Sequence, residues 1–340
     1  ALATARAVFG DNASICGTLA LVGAKCAVEM GLDEEARLLL HSGLESSQHH
    51  GYLEAVGCGL EAATLVWQGD EGEPVAPSIL REIAACYPPR LALMLECYLI
   101  RRLIRLGRTD EALAEAARVG LGNSNSLHVL QTNAGAHLRE TLDAAQIDIL
   151  MARGRLTQAE ALINEESCKA SSKGRMGKLV EFDLNMVELA LRSGRIPSAV
   201  RHFTHAISIA TTRRIVRPFV DRSASISTLV CGKGFSATGL VSREELRFFS
   251  EICQRLRIDI SHQKSWDAKD GQPTLLSKLT PRELEILRLI DAGLTNQELA
   301  DRTQLTLTTV KWHLHNLYAK LGAARRGVAL AKARALHLIS

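Results

Sequence analysis

One spacing recurs along the first two thirds of the chain and limits what it can fold into more than any other feature. An apolar residue is followed three positions on by Gly, Ala stands five after that Gly, and an apolar or small residue stands nine after it. Val28-Gly31-Ala36-Leu40, Ile104-Gly107-Ala112-Ala116, Met151-Gly154-Ala159-Ile163 and Leu191-Gly194-Ala199-Phe203 all obey it. The glycines lie 76, 47 and 40 residues apart. The first interval is twice 38 and has Gly69 at its midpoint, although Pro74 stands where Ala is expected. Gly ends a helix in the left-handed conformation that other residues resist. A small Ala lets the next helix pack close. The spacing therefore predicts helical hairpins, each burying its open face only by stacking on its neighbours. The alternative is an ordinary helical domain in which such turns recur by chance. Four agreements with matching apolar flanks favour the repeat.

Composition points the same way. Only 4% of residues are aromatic, 46% are hydrophobic and eight are prolines, which suits helices better than sheets. The hairpins resemble tetratricopeptide repeats with a longer, less regular period. After the last of them, Pro218 predicts a helix end near Arg217. A further helix is expected from Ser242, where Ser242-x-x-Glu245 reads as a capping box, with Leu246, Phe249, Ile252, Cys253 and Leu256 at helical spacing. The polar stretch Ser261 to Pro273, with Asp270-Gly271, reads as a linker.

Charge sets the C-terminal segment apart. The net charge is +4, but residues from Ser277 onward hold 10 Lys/Arg against 5 Asp/Glu, and the remainder 31 against 32. From Arg302 to the end there are seven basic residues and no acid. Such asymmetry fits a polyanionic partner, or a plain basic tail. Pattern favours the first. Thr280-Pro281-Arg282-Glu283 combines a cap, a first-turn Pro and a capping-box Glu, followed by Leu284, Leu287 and Ile290 on one face and Gly293 at the end. Thr295 to Glu298 opens a short second helix through Leu299 and Ala300, and Thr306 can cap a third that runs to Leu321 and stops at Gly322. On that third helix Val310, Leu314, Leu317 and Leu321 share an arc of about 60° that must face a core. Thr308, Lys311, Trp312 and His315 lie opposite, with Asn316 at their margin. A cation, an imidazole, an amide, a hydroxyl and an indole can read a major groove, and a short helix, a tight turn and such a helix make a helix-turn-helix. Trp312 has a packing alternative, against Lys311 or Pro281.

Leu279-Thr280-Pro281-Arg282-Glu283, Gly293-Leu294-Thr295-Asn296-Gln297-Glu298-Leu299-Ala300 and Thr309-Val310-Lys311-Trp312-His313-Leu314-His315-Asn316-Leu317-Tyr318-Ala319-Lys320-Leu321-Gly322 resemble the LuxR-type helix-turn-helix family. The resemblance implies a recognition helix over about 307–321 in the major groove of double-stranded DNA. It also implies that Lys311, Trp312 and His315 meet bases or nearby phosphates, and that Thr309, Asn316 and Lys320 anchor the backbone. A fourth helix from about Arg326 is then the dimer contact on DNA, where Val328, Ala331 and Ala335 recur at helical spacing. Ala323-Ala324-Arg325-Arg326-Gly327 departs from the family pattern, which has a bulkier residue after the Gly. The remainder is similar to the large MalT-like regulators, which place an ATP-binding domain, then helical repeats, then this module; Arg217-Pro218-Phe219-Val220-Asp221 looks like theirs. No Gly-x-x-x-x-Gly-Lys-Ser/Thr occurs: Gly174-Arg175-Met176-Gly177-Lys178-Leu179 has the wrong spacing and lacks the hydroxyl. With Ala at position 1, the expectation is a C-terminal fragment without the ATPase portion and with no cofactor of its own. An N-terminal hairpin without a preceding partner should also expose apolar surface.

The expected fold is therefore all-α: a tetratricopeptide-like helical-repeat superhelix over 1–258 as sensor or interaction domain, a linker over 259–276, and a four-helix helix-turn-helix domain over 277–340. The expected function is sequence-specific transcriptional regulation, with a small-molecule inducer or protein on the repeats and RNA polymerase as a candidate further partner. A helical-repeat scaffold with incidental DNA affinity and a sigma-like promoter subunit compete. The latter needs a basic, aromatic-rich core-binding domain that residues 1–260 do not provide. No catalytic constellation occurs. Cysteines at 16, 26, 58, 86, 97, 168, 231 and 253 include no Cys-x-x-Cys, and buried free thiols in a reducing cytoplasm are expected. No apolar run reaches membrane length. His202-x-x-His205 and His49-His50 lack a third metal ligand and read as packed or solvated histidines, and Gly234-Phe235-Ser236-Ala237-Thr238 reads as a loop rather than a nucleophile elbow.

Overall fold

The computed structural model describes residues 2–10, 14–47, 51–121, 135–232, 235, 240, 242–260, 281–303, 305, 307–321, 323, 325–335 and 339. The side chains of residues 6, 9, 46, 47, 281, 308, 315, 316, 319, 320 and 335 are outside that description. The described residues form helices and no strand, so the fold is all-α. They divide into two compact units, Ala1–Ile226 and Ser227–Ser340.

The first unit is built from α1 (Leu2–Phe9), α2 (Ser14–Glu29), α3 (Asp33–Ser47), α4 (Leu53–Val66), α5 (Pro77–Ala85), α6 (Pro89–Arg105), α7 (Thr109–Arg118), α8 (Ala136–Ala152), α9 (Leu156–Ser172), α10 (Met176–Arg192), α11 (Ile196–Arg213) and the short α12 (Arg217–Val220). The repeated spacing produces one repeated turn. Gly31, Gly107, Gly154 and Gly194 have φ of 71°, 79°, 71° and 67°. The residue after each donates its N–H to the carbonyl five back: Leu32 to Ala27, Arg108 to Leu103, Arg155 to Leu150 and Arg195 to Ala190, at 2.8–2.9 Å. These are Schellman caps, which satisfy carbonyls a helix end would leave orphaned. Ala36, Ala112, Ala159 and Ala199 are wholly buried where the second helix crosses the first. The structure adds two more copies of this cap: at Gly120 after α7, where Leu121 N–H reaches Ala116 O at 2.8 Å, and between α9 and α10 at Gly174, where Arg175 N–H reaches Ala170 O at 2.9 Å. There Leu179 and Asp183 replace the Ala and the apolar residue, so the pattern does not show it. Gly69 does not repeat the turn: α4 ends at Val66 with Trp67 extended, and a loop leads to α5.

Pro218 begins a helix rather than ending one. α11 stops at Arg213, Arg214 takes the left-handed conformation (φ 55°), and Pro218 sits in the first turn of α12, where its missing N–H costs nothing. That turn returns the chain to its start. Val216 N–H meets Glu29 O at 2.7 Å; the Arg217 guanidinium meets both oxygens of Asp33 at 3.1 Å, Asp221 at 2.8 Å and the Leu65 carbonyl. Phe219 is fully buried, edge-on to Phe203 at 6.1 Å. Both His202 and His205 turn their Nδ1 atoms to Asp183, at 2.9 and 2.5 Å, and no group of three or more metal-ligating side chains forms among the described residues.

The thiols are free, but only Cys16, Cys97 and Cys253 are buried. Cys58 is half-buried and Cys26, Cys86, Cys168 and Cys231 are exposed, which corrects the expectation of burial; these four fall on helix faces or ends turned to solvent. Val8, Ile15, Val22, Met30, Leu32, Leu38 and Tyr52 make up most of the exposed large apolar side chains, all within the first hairpins. No helix is long and apolar enough to cross a membrane among the described residues. Residues 48–50 and 236–239 lie outside the described residues, and with them His49, His50 and most of the Gly234 loop.

Burial works against charge on both members of the Asp183–His205 pair, and their attraction overcomes it. His205 is held above its ordinary 6.5 and Asp183 below its ordinary 3.8. The histidine's contribution is complete below about pH 6.5 and is lost as pH rises through its folded value; the aspartate's is lost as pH falls through its own. Urea melts of the parent and of His205→Gln should therefore differ most near pH 6 and converge toward pH 8.5. A constant difference would mean that the pair carries no charge coupling.

Candidate nucleic-acid interface

The second unit contains α13 (Ser223–Cys231) from Ser227 onward, α14 (Arg243–Arg255), α15 (Pro281–Asp291), α16 (Asn296–Thr303), α17 (Leu307–Lys320) and α18 (Arg326–Ala335). The Ser242–Glu245 capping box forms with both bonds, 3.0 and 3.1 Å, and α14 buries Phe248 as well as Phe249, Ile252 and Cys253. The four last helices close on a small core: Ile286, Leu287 and Ile290 from α15, Leu299 and Ala300 from α16, Val310, Leu314 and Leu317 from α17, Leu321 after it, and Ala329 and Ala333 from α18. The arc expected to face inward on α17 does so.

Polar bonds fix the helices where the core is too small to do it alone. Thr295 and Glu298 close a reciprocal box, Glu298 accepting the Thr295 N–H at 2.7 Å and donating its own N–H to Thr295 Oγ1 at 3.3 Å. The backbone N–H of Thr295, then its hydroxyl, hold the Glu298 carboxyl below its ordinary range. Arg282 in the first turn of α15 donates to Thr303 O at the end of α16, and Leu305 N–H reaches back to Ala300 O at 3.0 Å. The turn between α16 and α17 is thus tied to α15. Gly293 (φ 91°) ends the α15 segment, and Arg326 donates from the start of α18 to Leu294 O at 2.7 Å and Ile290 O at 2.6 Å. Thr280, Thr306 and Gly322 lie outside the described residues.

Of the residues expected to meet DNA, Lys311 is exposed on α17, Thr309 and Trp312 are half-buried, and Trp312 stands edge-on to His313 with ring centroids 4.7 Å apart. Thr308, His315, Asn316 and Lys320 belong to the α17 backbone, with side chains outside the described residues. A shallow cleft brings Lys311 together with Asn296 at the start of α16, Tyr318 and Arg326. Burial raises the Tyr318 hydroxyl's pKa, against the pull of Arg326. Asn296, Tyr318 and Arg326 were not expected at the site. For Arg326 a signal existed: a cation opening a helix opposes the dipole unless it bonds elsewhere, here to the end of α15. On α18 Val328 is half-buried and Ala331 exposed, beside Arg325 and Lys332 along one depression, and the Ala335 side chain lies outside the described residues.

Residues 277–333 match the family model of the bacterial regulatory proteins, luxR family. This segment is a luxR-family helix-turn-helix domain. The match covers α15 to α17 and most of α18 and leaves the helices before Ser277 outside it. No solved structure matches the chain. Within the luxR-family domain, α17 lies with its apolar side on the core and Lys311 outward. The domain supports a DNA-binding regulator as the chain's class.

Arg326→Met keeps the aliphatic stem and removes two charge-assisted bonds to carbonyls at the end of α15. Amide exchange across 281–335 in the full chain should show opening easier by about 1–3 kcal/mol. Protection equal to the parent would show that the core alone sets the position of α18.

Proposed function

We propose that this chain is a sequence-specific DNA-binding transcriptional regulator whose α17 enters the major groove. The observation that carries this is the division of α17 into a buried Val310–Leu314–Leu317 side and an outward side bearing Lys311, in a luxR-family domain. In this reading Lys311, Trp312 and His315 meet base edges or adjacent phosphates, Thr308 shares their outward face, and Thr309, Asn316 and Lys320 set the helix on the backbone. Selection of sites from a random DNA pool by the full chain should yield a defined motif. Lys311→Ala should weaken binding to all sequences and lower the salt slope by about one unit. Trp312→Ala or His315→Ala should cost on the order of 1–3 kcal/mol at one base position. Parent-like binding by all three variants would place the wrong face in the groove.

Two copies pair on DNA through α18 in this reading. Gly327, Val328 and Ala331 line one depression, small enough in side chain for a second helix to come close, and Ala335 continues the spacing. The selected motif should then contain inverted half-sites about one helical turn apart. Val328→Glu should remove cooperative occupancy and leave half-site binding nearly intact, read by gel shift on whole and half sites. A single unrepeated element in the motif would sink the pairing.

The tetratricopeptide-like hairpins before Ser277 act as the receiver, taking a small molecule or a protein. Within 259–276 the stretch Ser261 to Pro273 is mostly polar and marked by Gly271 and Pro273. A linker of that kind transmits a signal by changing how often the DNA-binding domain is free or near a second copy. No step in this reading is catalytic, and none uses a nucleotide held by this chain.

A further inference from the structure

The first unit holds a half-open cavity of about 320 Å³ lined from α2, α4, α6 and α10, with Pro218 of α12 and Asp221–Arg222 after it as its remaining wall. Seven cations and four carboxylates line it, although the unit as a whole is near neutrality. The missing negative charge stands behind the wall. Asp148, 1% exposed, takes bonds from Arg101 at 2.9 Å and Arg105 at 2.6 Å, and Glu188 pairs with Arg105 at 3.3 Å; neither carboxylate faces the space.

Two cations are left poorly matched. Arg222, 3% exposed, is bonded within reach only to amide and backbone oxygens, Asn185 Oδ1 and Pro218 O, and its nearest carboxylate among the described residues, Glu181, is 3.9 Å away. Lys178 lines the cavity and has one acceptor among the described residues, Glu181 at 3.0 Å, with 35% of its side chain exposed. Burial and then Arg101 bring the Lys178 ammonium down to about 8; burial and then Arg105 bring the Arg222 guanidinium down to about 9. Both groups sit in a field of like charge, Arg222 with almost no water beside it and Lys178 partly open to solvent. A network that only packed helices together would close over its charges; here an open volume remains at the lower end of small-molecule sites, which run from roughly 300 to 1,000 Å³.

We propose that this cavity binds a small organic polyanion, its phosphate or carboxylate groups meeting Lys178 and Arg222. The inference rests on the reading of the first unit as a receiver and names the class of ligand it receives. Phosphate and carboxylate share the chemistry, since each accepts charge-assisted bonds from guanidinium and ammonium groups.

The test is calorimetric titration of the full chain with pyrophosphate and, separately, citrate, without DNA. At least one probe should bind saturably at one site and raise the melting temperature. Pyrophosphate alone would assign a phosphate ligand, citrate alone a carboxylate. Lys178→Met should weaken that binding about tenfold or more, and Lys178→Arg far less. Arg175→Met, at an exposed lining cation paired with Glu140, tests the same charge without disturbing a buried group and should weaken binding a few-fold. No saturable binding of either probe overturns the assignment, as does binding that neither Lys178→Met nor Arg175→Met alters. Site selection on DNA is a separate readout. Its failure with cavity binding intact removes the regulator reading alone, and lost cavity binding with DNA selection intact removes this one alone.

Discussion

Arg217 holds the two ends of the first unit together. Its guanidinium is 5% exposed and bridges Asp33 at the start of α3, the Leu65 carbonyl near the end of α4 and Asp221 just beyond its own short helix. Nearly every other contact in the unit joins helices close in sequence, whereas Asp33 and Arg217 are 184 residues apart. Asp33 is 36% exposed, so solvent screens that side of the bridge, and the buried half of the clasp is Arg217 with Asp221, 11% exposed. The bond fixes more than stability. Pro218, Asp221 and Arg222 form a wall of the cavity, and they stand there because Arg217 brings the chain back. Arg102 reinforces the closure, donating to Trp67 O at 2.8 Å and lying 3.6 Å from Asp221.

How much of the fold is legible in the sequence depends on the range of the physics. A Schellman cap is decided within six residues, so four of the six glycine caps described in the first unit announce themselves, and the wholly buried alanines with them. Gly174 escapes notice because the second helix there carries Leu179 and Asp183, one filling the crossing with a larger side chain and the other reserved for two histidines. Gly69 misleads for the converse reason: the spacing is right, but Trp67 leaves the helix early to give its indole N–H to Asp70 O at 2.8 Å. Pro218 is locally ambiguous, since the same ring that ends one helix can start another. The clasp it starts depends on partners more than 150 residues away, and no window along the sequence contains both.

The DNA-binding domain is legible almost throughout, because capping boxes and one apolar arc dictate three of its helices and the luxR-family pattern is dense there. Its exception is again a long-range bond. Arg326 lies in the stretch that departs from the family pattern, and its role is to satisfy carbonyls at the end of α15, 32 and 36 residues earlier. Helical phase alone places Lys311, which is sound for a short amphipathic helix on a single core.

Charge shows both the reach and the limit of such reasoning. The surplus of cations after Ser277 is visible in a running sum, and a helix surface displays it to solvent. The first unit hides a smaller basic surface, seven cations to four carboxylates, within a nearly neutral sum, because further carboxylates stand one layer behind the guanidinium groups. The two settings also differ in physics. Exposed cations such as Lys311 act through water and counterions, so their hold on a polyanion falls steeply with salt. Cations deep in a half-open cavity, such as Arg222, 3% exposed, are screened by salt less than those on an open helix surface. The two basic surfaces thus differ in how salt reaches them, and the composition that reveals the first conceals the second.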